Sequence, residues 1–73
     1  MTKTYPYGKW LDCEFIDTKT GELFLVEEHL GKGEPMEDFI AKCIKVAEDN
    51  FEEPQFIRVL EVEEAEILGY DTY

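Results

Sequence analysis

The chain has no serine, a single histidine and a single arginine. A serine nucleophile is therefore excluded, and no Cys–His or Gly-x-Ser-x-Gly pattern places a base beside a nucleophile. Catalytic residues are not expected, nor is a cofactor. Cations are also scarce: seven Lys and Arg stand against eighteen Asp and Glu in 73 residues, a net charge of -11. That balance excludes a surface built to neutralise phosphates, and with it direct nucleic-acid binding. It also excludes docking on anionic membranes, where Lys and Arg supply the attraction. No apolar run approaches the roughly 18 residues of a membrane span, and no signal peptide opens the sequence. The two cysteines, Cys13 and Cys43, are too few for a disulfide framework. Read with the missing leader, they point to a reducing cytoplasm. Both fall inside apolar patterns and are expected in the core, where a free thiol behaves as a small hydrophobe. A bridge between them requires that strand and helix bring them together.

What is present is the composition of a folded protein. Hydrophobic residues make up 44% and aromatics 14%, more than a disordered acidic tail carries. With no repeat, linker or low-complexity tract, residues 1–73 read as one small acidic α+β domain.

The first clear signal is a β-hairpin. Trp10–Asp17 and Glu22–Leu30 are strand-like runs joined by Thr18, Lys19, Thr20 and Gly21. Asp17 can accept hydrogen bonds from the turn, and Gly21 suits the position that needs φ > 0. Pairing Asp17 with Glu22 sets a register in which opposed residue numbers sum to 39. One face then carries Leu11, Cys13, Phe15, Phe24 and Val26, with Glu28 at its end. The other carries Trp10, Asp12, Glu14 and Ile16 opposite His29, Glu27, Leu25 and Leu23. The first is the core face, because a one-residue slip would bury the carboxylates instead.

A helix over 35–50 follows, with Pro35 in its first turn and Met36, Phe39, Ile40, Cys43, Ile44 and Ala47 at helical spacing. Gln55–Val62, apolar on both faces, reads as the most buried strand. Glu63–Leu68 reads as a short helix ended by Gly69, or as an edge strand. The order predicts a two-layer α+β fold, with the third strand either antiparallel beside the first, the preferred arrangement, or parallel beside the second through a right-handed crossover. It leaves Trp10, Ile16, Leu23 and Leu25 on a partly exposed sheet face, more apolar surface than a solitary monomer usually shows.

Two features carry functional information. Asp12 opposes Glu27 across the hairpin, and such pairs repel unless a cation or basic partner neutralises them. With His29 they form a candidate metal set, set against the plainer reading of a solvated sheet face. The stronger clue is the distribution of charge. Residues 48–73 hold nine acids against Arg58 alone, net -8, whereas residues 1–33 are net -2. Glu48, Asp49, Glu52 and Glu53 gather at the C-terminus of the main helix, where the dipole disfavours anions.

Small size, acidity, aromatic content and the lack of catalytic groups resemble the profile of phage-encoded inhibitors and nucleic-acid mimics, a likeness of profile rather than of motif. The resemblance implies a binding protein that fills a basic groove of a host nucleic-acid-handling or defence protein. Glu48, Asp49, Glu52, Glu53, Glu61, Glu63, Glu64 and Glu66 would supply the steering field. Trp10, Tyr70 and Tyr73, with Tyr5 and Tyr7, would be amphipathic anchors. The alternative is an accessory or structural protein that homo-oligomerises through the hairpin face or the third strand's edge, its acidity serving solubility.

Overall fold

A computed structural model describes residues 8–73. The elements run β1 (Lys9–Asp17), β2 (Glu22–Leu30), α1 (Met36–Asn50), β3 (Pro54–Leu60) and α2 (Val62–Leu68). The strands form one antiparallel sheet of order β2-β1-β3, so the fold is α+β with the third strand beside the first, the preferred of the two expected arrangements.

The hairpin register is the one the charge alternation demands, from Lys9 opposite Leu30 to Asp17 opposite Glu22. Asp17 organises its turn: its carbonyl accepts from the Gly21 amide at 2.7 Å, and its carboxylate accepts from the Lys19 amide at 3.3 Å. The same carboxylate oxygen accepts from the Glu53 amide at 3.1 Å, and the Thr18 amide donates to the Glu53 carbonyl at 2.9 Å. The hairpin turn is thereby tied to the loop between α1 and β3, and Asp17 is buried without being left unpaired.

The inner sheet face packs on α1. Leu11, Cys13, Phe15, Phe24, Val26 and Leu30 bury completely against Phe39, Cys43 and Ala47 of the helix. One end of this core is aromatic. Phe24 stacks on Phe51 with ring centroids 3.8 Å apart, and the Tyr73 ring stands edge-on to both. Cys13 and Cys43 meet within the core as free thiols. The hydrogen bond between them and burial hold the Cys13 thiol well above its usual range.

Three expectations are corrected. First, β3 is not the most buried strand: β1 is, as the central strand, while only Leu60 of β3 is fully buried. A bulge between Glu14 and Phe15 pairs Glu14 with Arg58 and Phe15 with Phe56, which leaves Ile57 without a partner on β1 and 44% exposed. Second, β3 ends at Leu60, and Val62 opens α2. Third, much of the outer sheet face is covered. The α2 helix lies on it, and Leu25, Leu60 and Ala65 form a second small core with Leu68 and Tyr70. Leu25 is therefore buried, whereas Trp10 and Leu23 stay exposed.

The short-helix reading of residues 63–68 is the correct one. Glu61 and Glu64 form a reciprocal capping box at the start of α2, and Gly69 takes φ +68° at its end. The chain then returns to the free edge of β2. Leu25 donates to the Asp71 carbonyl at 2.9 Å, Tyr73 donates to the Leu25 carbonyl at 2.8 Å, and Glu27 donates to the Tyr73 carbonyl at 3.0 Å. The C-terminal segment thus runs parallel to β2 and caps a sheet edge that would otherwise be open.

Candidate functional site

All eight carboxylates of the proposed field are exposed: Glu48, Asp49, Glu52, Glu53, Glu61, Glu63, Glu64 and Glu66. They do not form one continuous cluster. Residues 48–53 lie at the end of α1 and residues 61–66 around the start of α2, at opposite ends of β3. Seven residues of extended chain separate the two groups by about 20 Å. Their local energetics differ as well. Glu63 and Glu64 sit in the first turn of α2, where the dipole favours anions, and Glu61 and Glu64 satisfy backbone amides there. The last turn of α1 holds no basic residue, so Glu48 and Asp49 sit at its negative end without a cation in that turn.

Neutralising contacts are few. Lys19 pairs with Glu52, and Lys9 pairs with Glu61 at 3.0 Å. Arg58, the sole cation of the last third of the chain, is exposed but pairs with Glu14 of the central strand. Its Nε donates to Glu14 Oε1 at 2.6 Å, where the Glu14 side chain is 8% exposed. That hydrogen bond, then the Glu14 charge, raises the Arg58 pKa further.

The aromatic anchors divide. Trp10 is 56% exposed and stands edge-on to His29, with ring centroids 5.4 Å apart. Tyr73 is part of the aromatic end of the core yet keeps 42% of its surface exposed. Tyr70 packs on the second small core. Tyr5 and Tyr7 lie outside the described residues.

The hairpin's outer face holds the less expected feature. Asp12 and Glu27 oppose each other as the register requires, but this is not a solvated sheet face. The α2 helix and the C-terminal segment flank it and leave an open pocket of about 290 Å³ lined by Asp12, Glu27, Val62, Glu66, Tyr70 and Thr72. Asp12 is only 2% exposed. Burial, reinforced by the facing Glu27, pushes its pKa up to about 6.

The metal set is not assembled. His29 does not line this pocket; its ring packs against Trp10 and so close over Gly8 that a Cβ there would meet it at 2.6 Å. Among the described residues no group of three or more His, Cys, Asp or Glu converges as metal ligands. No described helix is long and apolar enough to cross a membrane.

The opposed carboxylates were the available signal for this pocket. The burial of Asp12 and the participation of Val62 and Thr72 depend on where α2 docks, which the strand pattern does not encode. Comparison with protein-family models, with curated proteins and with solved structures finds no match.

Proposed function

We propose that the protein is a non-enzymatic binding protein, an inhibitor of the phage-encoded kind, whose acidic surface occupies a basic, nucleic-acid-binding groove of a host or defence protein. The observation that carries this reading is the largely unneutralised acidity of the last third of the chain, where Glu52 and Glu61 have lysine partners. Eight of its nine carboxylates are exposed in two groups flanking β3, while its one cation is engaged by the buried Glu14. A rigid body with this charge steers toward basic surfaces, and the exposed ring of Trp10 and the open face of Tyr73 offer area for lasting contact. A cytoplasmic target fits the paired free thiols.

The test is affinity capture from a host extract in the presence and absence of competing DNA or RNA. The reading expects captured proteins that bind nucleic acid and that salt or added polynucleotide releases. It also expects no capture by a variant carrying Glu52→Lys, Glu53→Lys, Glu63→Lys and Glu64→Lys. Equal capture by that variant contradicts the reading.

Self-association is the second reading. Burial of Leu25 narrows its hairpin surface, but Trp10, Leu23 and the bulged Ile57 remain exposed. Light scattering separates the two: a salt-insensitive oligomer favours self-association, and a monomer removes it.

A further inference from the structure

We infer that the outer edge of β3 is a docking site for an extended segment of a basic partner, which adds to the sheet as a further strand carrying lysine or arginine at both ends. The two edges of the sheet are finished differently. The edge of β2 is covered by the chain's own C-terminal segment, which takes up the Leu25 amide and carbonyl and the Glu27 amide. At the other edge stands β3, which pairs with β1 alone among the described residues. Hydrogen-bonded and non-bonded pairs alternate along an antiparallel ladder. The Thr18 amide donates to the Glu53 carbonyl, so the even-numbered residues of β1 are the ones that bond to β3. Phe56 and Val59, opposite the odd-numbered Phe15 and Cys13, therefore turn their N–H and C=O groups to the open side. A row of such groups is a template for another strand.

Charge decides which strand fits. Glu48, Asp49, Glu52 and Glu53 precede β3, and Glu61, Glu63, Glu64 and Glu66 follow it, about 20 Å away. Lys19 and Lys9 offset one acid in each group, Glu52 and Glu61, and leave both groups negative. A second copy of this chain is a poor occupant in either direction. Paired parallel, each acidic group meets its own copy; paired antiparallel, it meets the other acidic group. Like charges opposed across a ladder are destabilising. A strand with cations at both ends meets opposite charge in either direction, and the length it must span is the seven residues of β3.

The middle of the edge offers apolar contact. The bulge leaves Ile57 without a partner on β1 and 44% exposed, midway between the two acidic groups. An apolar centre with a polar rim is the ordinary anatomy of a protein interface. Pro54 and the bulge shorten the stretch that can pair, and both discourage unselective strand addition. Few backbone bonds remain, so recognition depends on the charged ends as well. Docking at this edge deepens the reading of a basic partner, and rests on that reading for the charges the strand carries.

The experiment uses synthetic peptides and the full chain, followed residue by residue by NMR. The first peptide has seven alternating threonines and valines between two lysines on each side. The second is the same peptide N-methylated at the seven central amides, which removes its donors and keeps its charge. The third replaces the lysines with glutamates. The expected result is saturable binding of the first peptide, with shifts centred on Phe56, Ile57 and Val59, slowed exchange of the Phe56 and Val59 amides, and cross-strand contacts to β3. Affinity should fall at least tenfold for each of the other two peptides. Equal affinity for the N-methylated peptide overturns the edge and leaves attraction by charge alone. Equal affinity for the glutamate-flanked peptide overturns the selection by charge. Shifts centred on β2, no saturable binding of the first peptide, or cross-strand contacts between two copies of β3 also overturn the inference. The charge-reversal capture tests the basic partner and the N-methylated peptide tests the edge, so the two ideas fail separately.

Discussion

Asp12 and Glu14 are neighbours on one strand face, and the fold treats them oppositely. Glu14 is buried beside a guanidinium that meets it at 2.6 Å, whereas Asp12 is buried beside another carboxylate. The second arrangement works against stability, and its pH dependence can be stated. The folded-state pKa of Asp12, about 6, lies above its ordinary value of 3.8, so the folded state holds the proton more tightly than the unfolded chain. The ionised form is penalised in the fold. That penalty is complete above about pH 6 and disappears as pH falls toward 4. Asp12→Asn should therefore stabilise the protein at pH 7.5 by about 1–3 kcal/mol in urea titrations. The advantage should shrink to nothing near pH 4. A variant less stable than wild type at pH 7.5 would show that Asp12 has a structural partner.

At the scale of elements, the hairpin and α1 were legible because each has a phase. Alternating carboxylates and hydrophobes admit one register, and six apolar residues at helical spacing admit one buried stripe. The Gln55–Val62 run has no phase. Its consecutive apolar residues read as a strand buried on both sides, while the bulge that turns Ile57 outward is set by pairing with β1. Ile57→Lys should accordingly change stability by no more than about 0.5 kcal/mol, against several kcal/mol for Phe56→Lys, as thermal melts would show.

The α2 helix was legible from its Gly69 stop and its acids. Its docking place was not, since seven residues with one buried alanine carry little directional information. The placement has a direct check. Leu25→Ala should cost about 2–4 kcal/mol through the second small core, and Leu23→Ala, on the same strand face but exposed, about 0.5 kcal/mol or less. Gly69→Ala should cost about 1–2 kcal/mol, because a Cβ disfavours the left-handed backbone that closes the helix. Equal effects at residues 23 and 25 would place α2 elsewhere.

At the scale of the whole molecule, the net charge of -11 resolves into three populations. Some carboxylates are structural: Asp17 in its turn, Glu14 with Arg58, Glu61 and Glu64 at the start of α2. One pair, Asp12 and Glu27, faces a pocket. The exposed remainder at the two ends of β3 contributes chiefly to the field. The sequence placed the acids along the chain but could not show that β3 divides them into two groups, nor that Arg58 pairs with Glu14.

The central claim, that this field guides the protein to a basic groove, is tested most directly by its association rate with the captured partner at increasing ionic strength. The account predicts that the wild-type rate falls steeply between about 50 and 200 mM salt. At low salt, the variant with Glu52, Glu53, Glu63 and Glu64 reversed to Lys should associate at least about tenfold more slowly. Equal rates for the two proteins, with no dependence on salt, contradict the account.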